Sequence, residues 1–105
     1  MLLDSHCHLD RLKLDAYAGS LDAALVCARE RNVSRFLCIG IGLDNLQTVV
    51  DIAAAHDGVY ASVGIHPSEF GGSQYQPEPD PRLLSPDAVL AELERLAREP
   101  KVIAI

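Results

Sequence analysis

The sequence has no apolar run near the roughly 18 residues that a membrane-crossing helix needs, so none is expected. Its N-terminus lacks the basic-then-apolar layout of a secretion signal, so no leader is expected. Its three cysteines are odd in number and have no Cys-x-x-Cys spacing, which excludes reading them as a disulfide framework. A reducing, cytoplasmic compartment is the expectation. Positive charge is also scarce. Nine Lys and Arg stand against 15 Asp and Glu, a net charge of −6. Such a chain offers no broad electrostatic footprint for nucleic acid. Any action on phosphates then needs a local positive centre, which a bound metal can supply. No sequence repeat or low-complexity tract is evident.

What is present suits one small folded domain. The chain has 105 residues, with 49% apolar and 23% charged side chains. Leu2-Leu3-Asp4-Ser5-His6 reads as a strand that starts in a core and ends at a surface. Arg11 to Gly19 reads as a loop. Ser20 can cap a helix whose apolar face is Leu21, Ala24, Leu25 and Ala28, ended by Asn32. Phe36 to Ile41 is a continuous apolar run, as in a strand buried on both faces. Gly40 and Gly42 allow a tight strand-to-helix turn. Asp44 is placed to cap the next helix, with Gln47 as its capping-box partner. Leu46, Val49, Val50, Ala53 and Ala54 give that helix one apolar face, and Gly58 stops it. Tyr60 to Ile65 reads as a third strand. The long segment from Pro67 to Ser85 is rich in proline and glycine. Ser85-Pro86 starts a third helix with Val89, Leu93, Leu96 and Ala97 on one face. Pro100 ends it, and Val102 to Ile105 begins a fourth strand.

The pattern is β-α-β-α-β-α-β, an α/β class in which each helix carries a crossover between parallel strands. Ile105 falls inside an apolar strand, and four parallel strands are few for such a sheet. Residues 1–105 are therefore expected to be one partial domain, the first four strands and three helices of something larger.

Three of the four histidines converge in this reading. His6 and His8 are two apart on a strand, so both imidazoles project to one side while Cys7 faces away. Two neutral imidazoles together suit a divalent metal, although two surface histidines at a strand end would look the same. Asp4 lies on the same side by alternation. It can orient a ligand imidazole or stand as a solvated carboxylate. His66 ends the third strand, with Pro67 forcing a turn. Parallel strands gather their C-terminal ends on one side, so His66 meets His6 and His8 there, or it merely caps a strand. His56 falls on the opposite face, as a cation near a helix C-terminus. Cys27 and Cys38 read as core fillers.

Leu3-Asp4-Ser5-His6-Cys7-His8-Leu9-Asp10 resembles the opening of the TatD family of metal-dependent deoxyribonucleases. Val63-Gly64-Ile65-His66-Pro67 resembles that family's second signature. Val102-Ile103-Ala104-Ile105 resembles the strand that leads into its third. The resemblance implies a (β/α)8 barrel with one or two divalent metals, Mg, Zn or Mn, at its C-terminal mouth. His6 and His8 would be metal ligands. His66 would line the site, contacting a substrate phosphate or ordering a ligand. The substrate would be DNA or another phosphodiester, cleaved by metal-assisted hydrolysis. Asp10 falls in the motif without a metal role. The family's bridging glutamate, two later histidines and final aspartate have no counterpart in residues 1–105. The chain alone is thus expected to bind metal weakly and to turn over poorly. Two other readings compete. One is a different His-x-His phosphoesterase or amidohydrolase. The other is a non-catalytic half-barrel that self-associates through exposed strand edges.

Overall fold

Ser20 Oγ accepts a hydrogen bond from the Ala23 N–H at 3.1 Å, and the first helix begins there. It stops at Asn32, which takes the left-handed conformation at φ 68°. The Asn32 N–H donates to the Arg29 carbonyl, and its own carbonyl accepts from Leu2 N at 2.7 Å. One residue thus ends a helix and anchors the start of the sheet.

A computed structural model describes all 105 residues. The strands are β1 (Leu2–Cys7), β2 (Val33–Ile39), β3 (Val59–Ser62) and β4 (Val102–Ala104). The helices between them are α1 (Leu21–Glu30), α2 (Leu46–Ala55) and α3 (Pro86–Ala97). The four strands form one sheet in the order β1-β2-β3-β4, all parallel. The α/β class expected from sequence is observed. The strand order never reverses, so the sheet has no switch point of the doubly wound kind. Successive crossovers of one hand then lay every helix on the same face, as in the winding of a (β/α)8 barrel.

Register shows which face that is. Phe36 pairs with Val59 and Cys38 with Ala61. Paired residues of parallel strands point the same way, and these four are buried with Leu25, Leu46, Val49, Val50, Ala53 and Leu96. Burying each large member contributes about 1.5–3 kcal/mol. Leu37 and Ile39 face the other way and are only half-buried. The apolar run of β2 is therefore not buried equally on both faces. The strand also starts earlier than its apolar run, at Val33, because pairing with β1 begins there.

The start of α2 differs from the expectation. The residue before the helix is Asn45, and Asp44 makes no cap; it pairs instead with Arg82 at 2.6 Å. Gln47 donates to Asp51 and accepts from Arg95, so no capping box forms. At the other end, His56 sits at the C-cap of α2, near the helix C-terminus as expected. Its Nδ1 lies 2.9 Å from the Asp22 carboxylate. The Lys101 ammonium meets the last carbonyls, donating to Ala53 O and, at 2.6 Å, to His56 O.

Candidate functional site

At the C-terminal ends of β1 to β3 lies a cleft of about 530 Å³, lined by His6, His8 and His66 among others. Three loops build it. The first leaves β1 through the 3-10 turn Leu9–Arg11, whose Leu9 is buried and pins it to the core. The second is the Gly40-Ile41-Gly42 turn after β2. The third leaves β3 and enters the 3-10 turn Pro67–Phe70, with His66 at its N-cap.

His6 and His8 sit together as expected. Their ring centroids are 5.2 Å apart and the rings are nearly perpendicular, at 82°. His8 Nδ1 is buried and has no hydrogen-bond partner. A buried imidazole nitrogen without a partner is costly until a metal or an acceptor satisfies it. The pair thus fits one edge of a divalent metal's coordination. No group of three or more His, Cys, Asp or Glu side chains gathers to hold a metal.

Asp4 departs from simple alternation. The register pairs Asp4 with Phe36 and then Cys7 with Cys38, with an irregularity between. Two residues of β1 oppose one of β2 there, which is bulge geometry and breaks the period of two. Asp4 therefore does not line the cleft beside His6. Its Oδ1 accepts from the His6 backbone N–H at 3.1 Å, so it holds the strand rather than the ring.

Cys7 does face away from the cleft. Its thiol donates to the Leu37 carbonyl at 3.3 Å. Burial, then the negative charges of Asp4, Cys38 and Asp10, push it up to about 12. It is this orientation, with the thiol on the Leu37 carbonyl and outside the cleft lining, that keeps Cys7 from joining His6 and His8.

His66 both caps a turn and faces the cleft. Its Nδ1 accepts from the Ser68 N–H at 3.1 Å and lies 2.9 Å from Ser68 Oγ. A nitrogen that accepts carries no proton, so in the neutral ring Nε2 carries it. His66 thus presents an N–H donor, the group that suits a phosphate oxygen. Its backbone N–H donates to the Ile41 carbonyl at 2.6 Å, tying the third loop to the second.

The sequence did not single out Asn45, which is the hub of the site's support. Asn45 Oδ1 accepts from Ile41 N at 2.8 Å and Gly42 N at 3.1 Å. Its Nδ2 donates to Asp10 Oδ2 at 3.2 Å and to Ile39 O at 3.5 Å. Every donor and acceptor of this buried amide is used. Asp10, two residues past His8, is nearly buried, with a side-chain exposure of 6%. A path of hydrogen bonds then runs Asp10–Asn45–Ile41–His66, joining the three loops. The local signal was an asparagine three residues after Gly42, a type that commonly bonds back to nearby backbone.

Gly40 is required by contact. A Cβ there would lie 2.6 Å from Ser62 O and 2.6 Å from a Leu46 methyl. At Gly42 a Cβ would meet the Glu69 carboxylate at 2.7 Å. The β2 turn can approach β3 this closely only because both positions lack side chains.

Comparison with known proteins places this geometry. The chain is 32% identical over 90 residues to an uncharacterized metal-dependent hydrolase, YcfH, of Escherichia coli strain K12; the match covers 86% of this chain and 34% of that protein. It is 27% identical over 104 residues to an uncharacterized metal-dependent hydrolase of Buchnera aphidicola subsp. Baizongia pistaciae, covering 99% of this chain and 34% of that protein. A third relative, from Buchnera aphidicola subsp. Acyrthosiphon pisum, is also an uncharacterized metal-dependent hydrolase, at 29% identity over 66 residues, 63% of this chain and 25% of that protein. The chain spans about a third or less of the length of these relatives. The model of the TatD-related DNase family matches residues 3–105, nearly the whole chain, and the chain belongs to that family.

Proposed function

We propose that residues 1–105 are the N-terminal part of a (β/α)8 divalent-metal-dependent hydrolase that cleaves phosphodiester bonds of DNA. The observation that carries this reading is the meeting of His6, His8 and His66 in one cleft at the C-terminal ends of parallel strands. His6 and His8 would hold the metal, which supplies Lewis-acid polarisation and a water of lowered pKa. His66 donates from Nε2 to a phosphate oxygen. Ser68 fixes the tautomer of that ring, and Asp4 fixes the backbone that presents His6. On a chain of net charge −6, attraction of phosphate falls to this local centre. No helix is long and apolar enough to cross a membrane. A cytoplasmic setting agrees with three free thiols and no disulfide.

The test pairs metal titration with hydrolysis. Mn²⁺, Zn²⁺ and Mg²⁺ are titrated calorimetrically into the chain, into His6→Ala and into His8→Ala. Weak binding lost in either variant is expected, since two imidazoles leave most of the coordination to water. Hydrolysis of DNA and of bis(p-nitrophenyl) phosphate is followed with and without EDTA. The chain alone is expected to be poorly active, and strong EDTA-sensitive turnover by it would overturn the view that its ligand set is incomplete. A native protein of about 250 residues carrying this sequence should cleave DNA. Turnover of phosphomonoesters or cyclic amides with none of DNA would favour the other His-x-His hydrolases.

A second reading has its own observation. β1 and β4 are the open edges of the sheet, and Leu2, Leu3, Ile103 and Ile105 are exposed along them. Unpaired apolar edges favour association, so two copies of this chain would pair as a non-catalytic assembly. Size-exclusion chromatography decides it, and a clean monomer counts against pairing.

A further inference from the structure

The segment after His66 carries an aromatic side chain that the catalytic reading leaves without a task. Tyr75 is 87% exposed and lines the same cleft as the three histidines. It makes no hydrogen bond and no aromatic pair. The backbone that carries it is nevertheless tied down. Ser73 N donates to Gln76 O at 3.2 Å, and Gln76 N donates to Ser73 Oγ at 2.8 Å. Gly72 N donates to Pro77 O at 3.1 Å, and Asp80 N to Glu69 O at 3.0 Å. Gly71, at φ +88°, packs so closely that a Cβ would meet Pro79 N at 2.9 Å. Tyr75 thus stands on a hydrogen-bonded loop, held out into solvent rather than folded against the core.

The same cleft is lined by Arg11, its side chain more than half exposed. Its nearest acid, Asp10, is 3.9 Å away and already bonded to Asn45. Arg11 is the one permanently charged cation among the lining residues. The cleft therefore offers an exposed aromatic face on a hydrogen-bonded loop, a guanidinium and an imidazole N–H. A nucleotide has the matching parts: a flat base and an anionic phosphate.

We propose that Tyr75 and Arg11 form a nucleotide subsite of this cleft, in which Tyr75 stacks on a nucleobase flanking the phosphodiester and Arg11 pairs with the phosphate of that nucleotide. This deepens the phosphodiesterase reading and rests on it. It also fits the acidity of the chain. With few cations to release counterions, affinity comes chiefly from stacking, and its salt dependence is shallow. Every base has a π-face, so the subsite is tolerant of sequence.

The test is an NMR titration of the chain with oligothymidylate, and with the same strand carrying abasic residues, in EDTA so that nothing is cleaved. The Tyr75 ring signals are assigned by their loss in Tyr75→Phe. Upfield shifts of those signals are expected with the base-bearing strand only. Tyr75→Leu should bind that strand about 5- to 100-fold more weakly, while Tyr75→Phe keeps the affinity. Arg11→Gln should weaken both strands and flatten the salt slope. Equal binding of the two strands by the unaltered chain overturns the stacking role while leaving the phosphodiester reading intact. So does an unchanged affinity in Tyr75→Leu. Failure to bind either strand, with EDTA-sensitive hydrolysis of bis(p-nitrophenyl) phosphate retained by the native protein, overturns the subsite alone. Failure of both overturns the subsite and the reading beneath it.

Discussion

Asn45 Nδ2 donates to Asp10 Oδ2 at 3.2 Å, across 35 positions of sequence. The bond joins the loop that carries His8 to the turn that carries Ile41, whose carbonyl in turn receives the His66 N–H. Asn45→Ala would leave the Asp10 carboxylate and the N–H groups of Ile41 and Gly42 without this partner. A loss of about 2–4 kcal/mol is expected, from buried polar groups left unpaired. In a domain of this size each kcal/mol lowers the melting temperature by roughly 4–8 °C, so thermal unfolding reads it directly. Asn45→Asp keeps the shape but sets two carboxylates together. Its deficit should shrink as pH falls into the carboxylate range, because protonating one of the pair removes the repulsion. An Asn45→Asp deficit independent of pH would contradict the contact.

Much of the architecture was legible because it is written in local periodicity. The apolar stripes of α1, α2 and α3, the Ser20 cap and the Asn32 stop all depend on residues within a few positions of one another. What escaped depends on distant partners. Asp44 and Asn45 have similar capping chemistry, but Arg82, far along the chain, claims Asp44 and Asn45 takes the position before α2. Asp4 follows His6 and His8 in a period of two until a bulge interrupts the strand, and the bulge is visible only against β2. The three cleft histidines were found because strand ends in a parallel sheet share one side. The Asn45 hub was not, because nothing near it in sequence names Asp10 as its partner.

Cys7 offers a test of the burial that keeps it from the cleft. Its folded pKa, about 12, lies above the ordinary 9.0, so the folded state holds its proton where the unfolded state has lost it. Stability should therefore fall as pH rises from about 9 toward 12. Cys7→Ala should remove part of that slope in alkaline denaturation curves. The same burial predicts slow alkylation of Cys7 and of the buried Cys38, with Cys27 modified first when peptides are mapped by mass spectrometry.

Arg82 links two loops by holding Asp80 through a forked contact and Asp44 through one bond. These hydrogen bonds hold the Asp80 carboxyl below its ordinary range. Its stabilising effect is present above the usual carboxylate pKa and is lost as pH falls through the lowered folded value. Asp80 also accepts from Arg82 N at 2.9 Å and so caps the 3-10 turn Pro81–Leu84. Asp80→Asn should free the loop that carries Tyr75. Faster limited proteolysis between residues 71 and 79 at neutral pH is expected, and the difference from the unaltered chain should narrow in acid.

The Ser68 bond to His66 fixes which imidazole nitrogen faces the cleft. Long-range ¹H–¹⁵N correlation spectra at a pH where the ring is neutral should show the Nε2–H form. Ser68→Ala removes only the hydroxyl, since the Ser68 N–H still donates to Nδ1. Stability should change by less than about 1 kcal/mol, the size of one partly exposed hydrogen bond. The tautomer should be largely kept. A proline at position 68 removes the N–H as well, and the Nδ1–H form should then rise. His66→Gln tests the donor itself. Its amide can still reach a phosphate oxygen, so a native protein carrying this cleft should keep substrate binding better in His66→Gln than in His66→Leu. Equal loss in both variants would mean that the ring acts through its shape or its position at the 3-10 turn, and that the Nε2 proton is not what the phosphate meets.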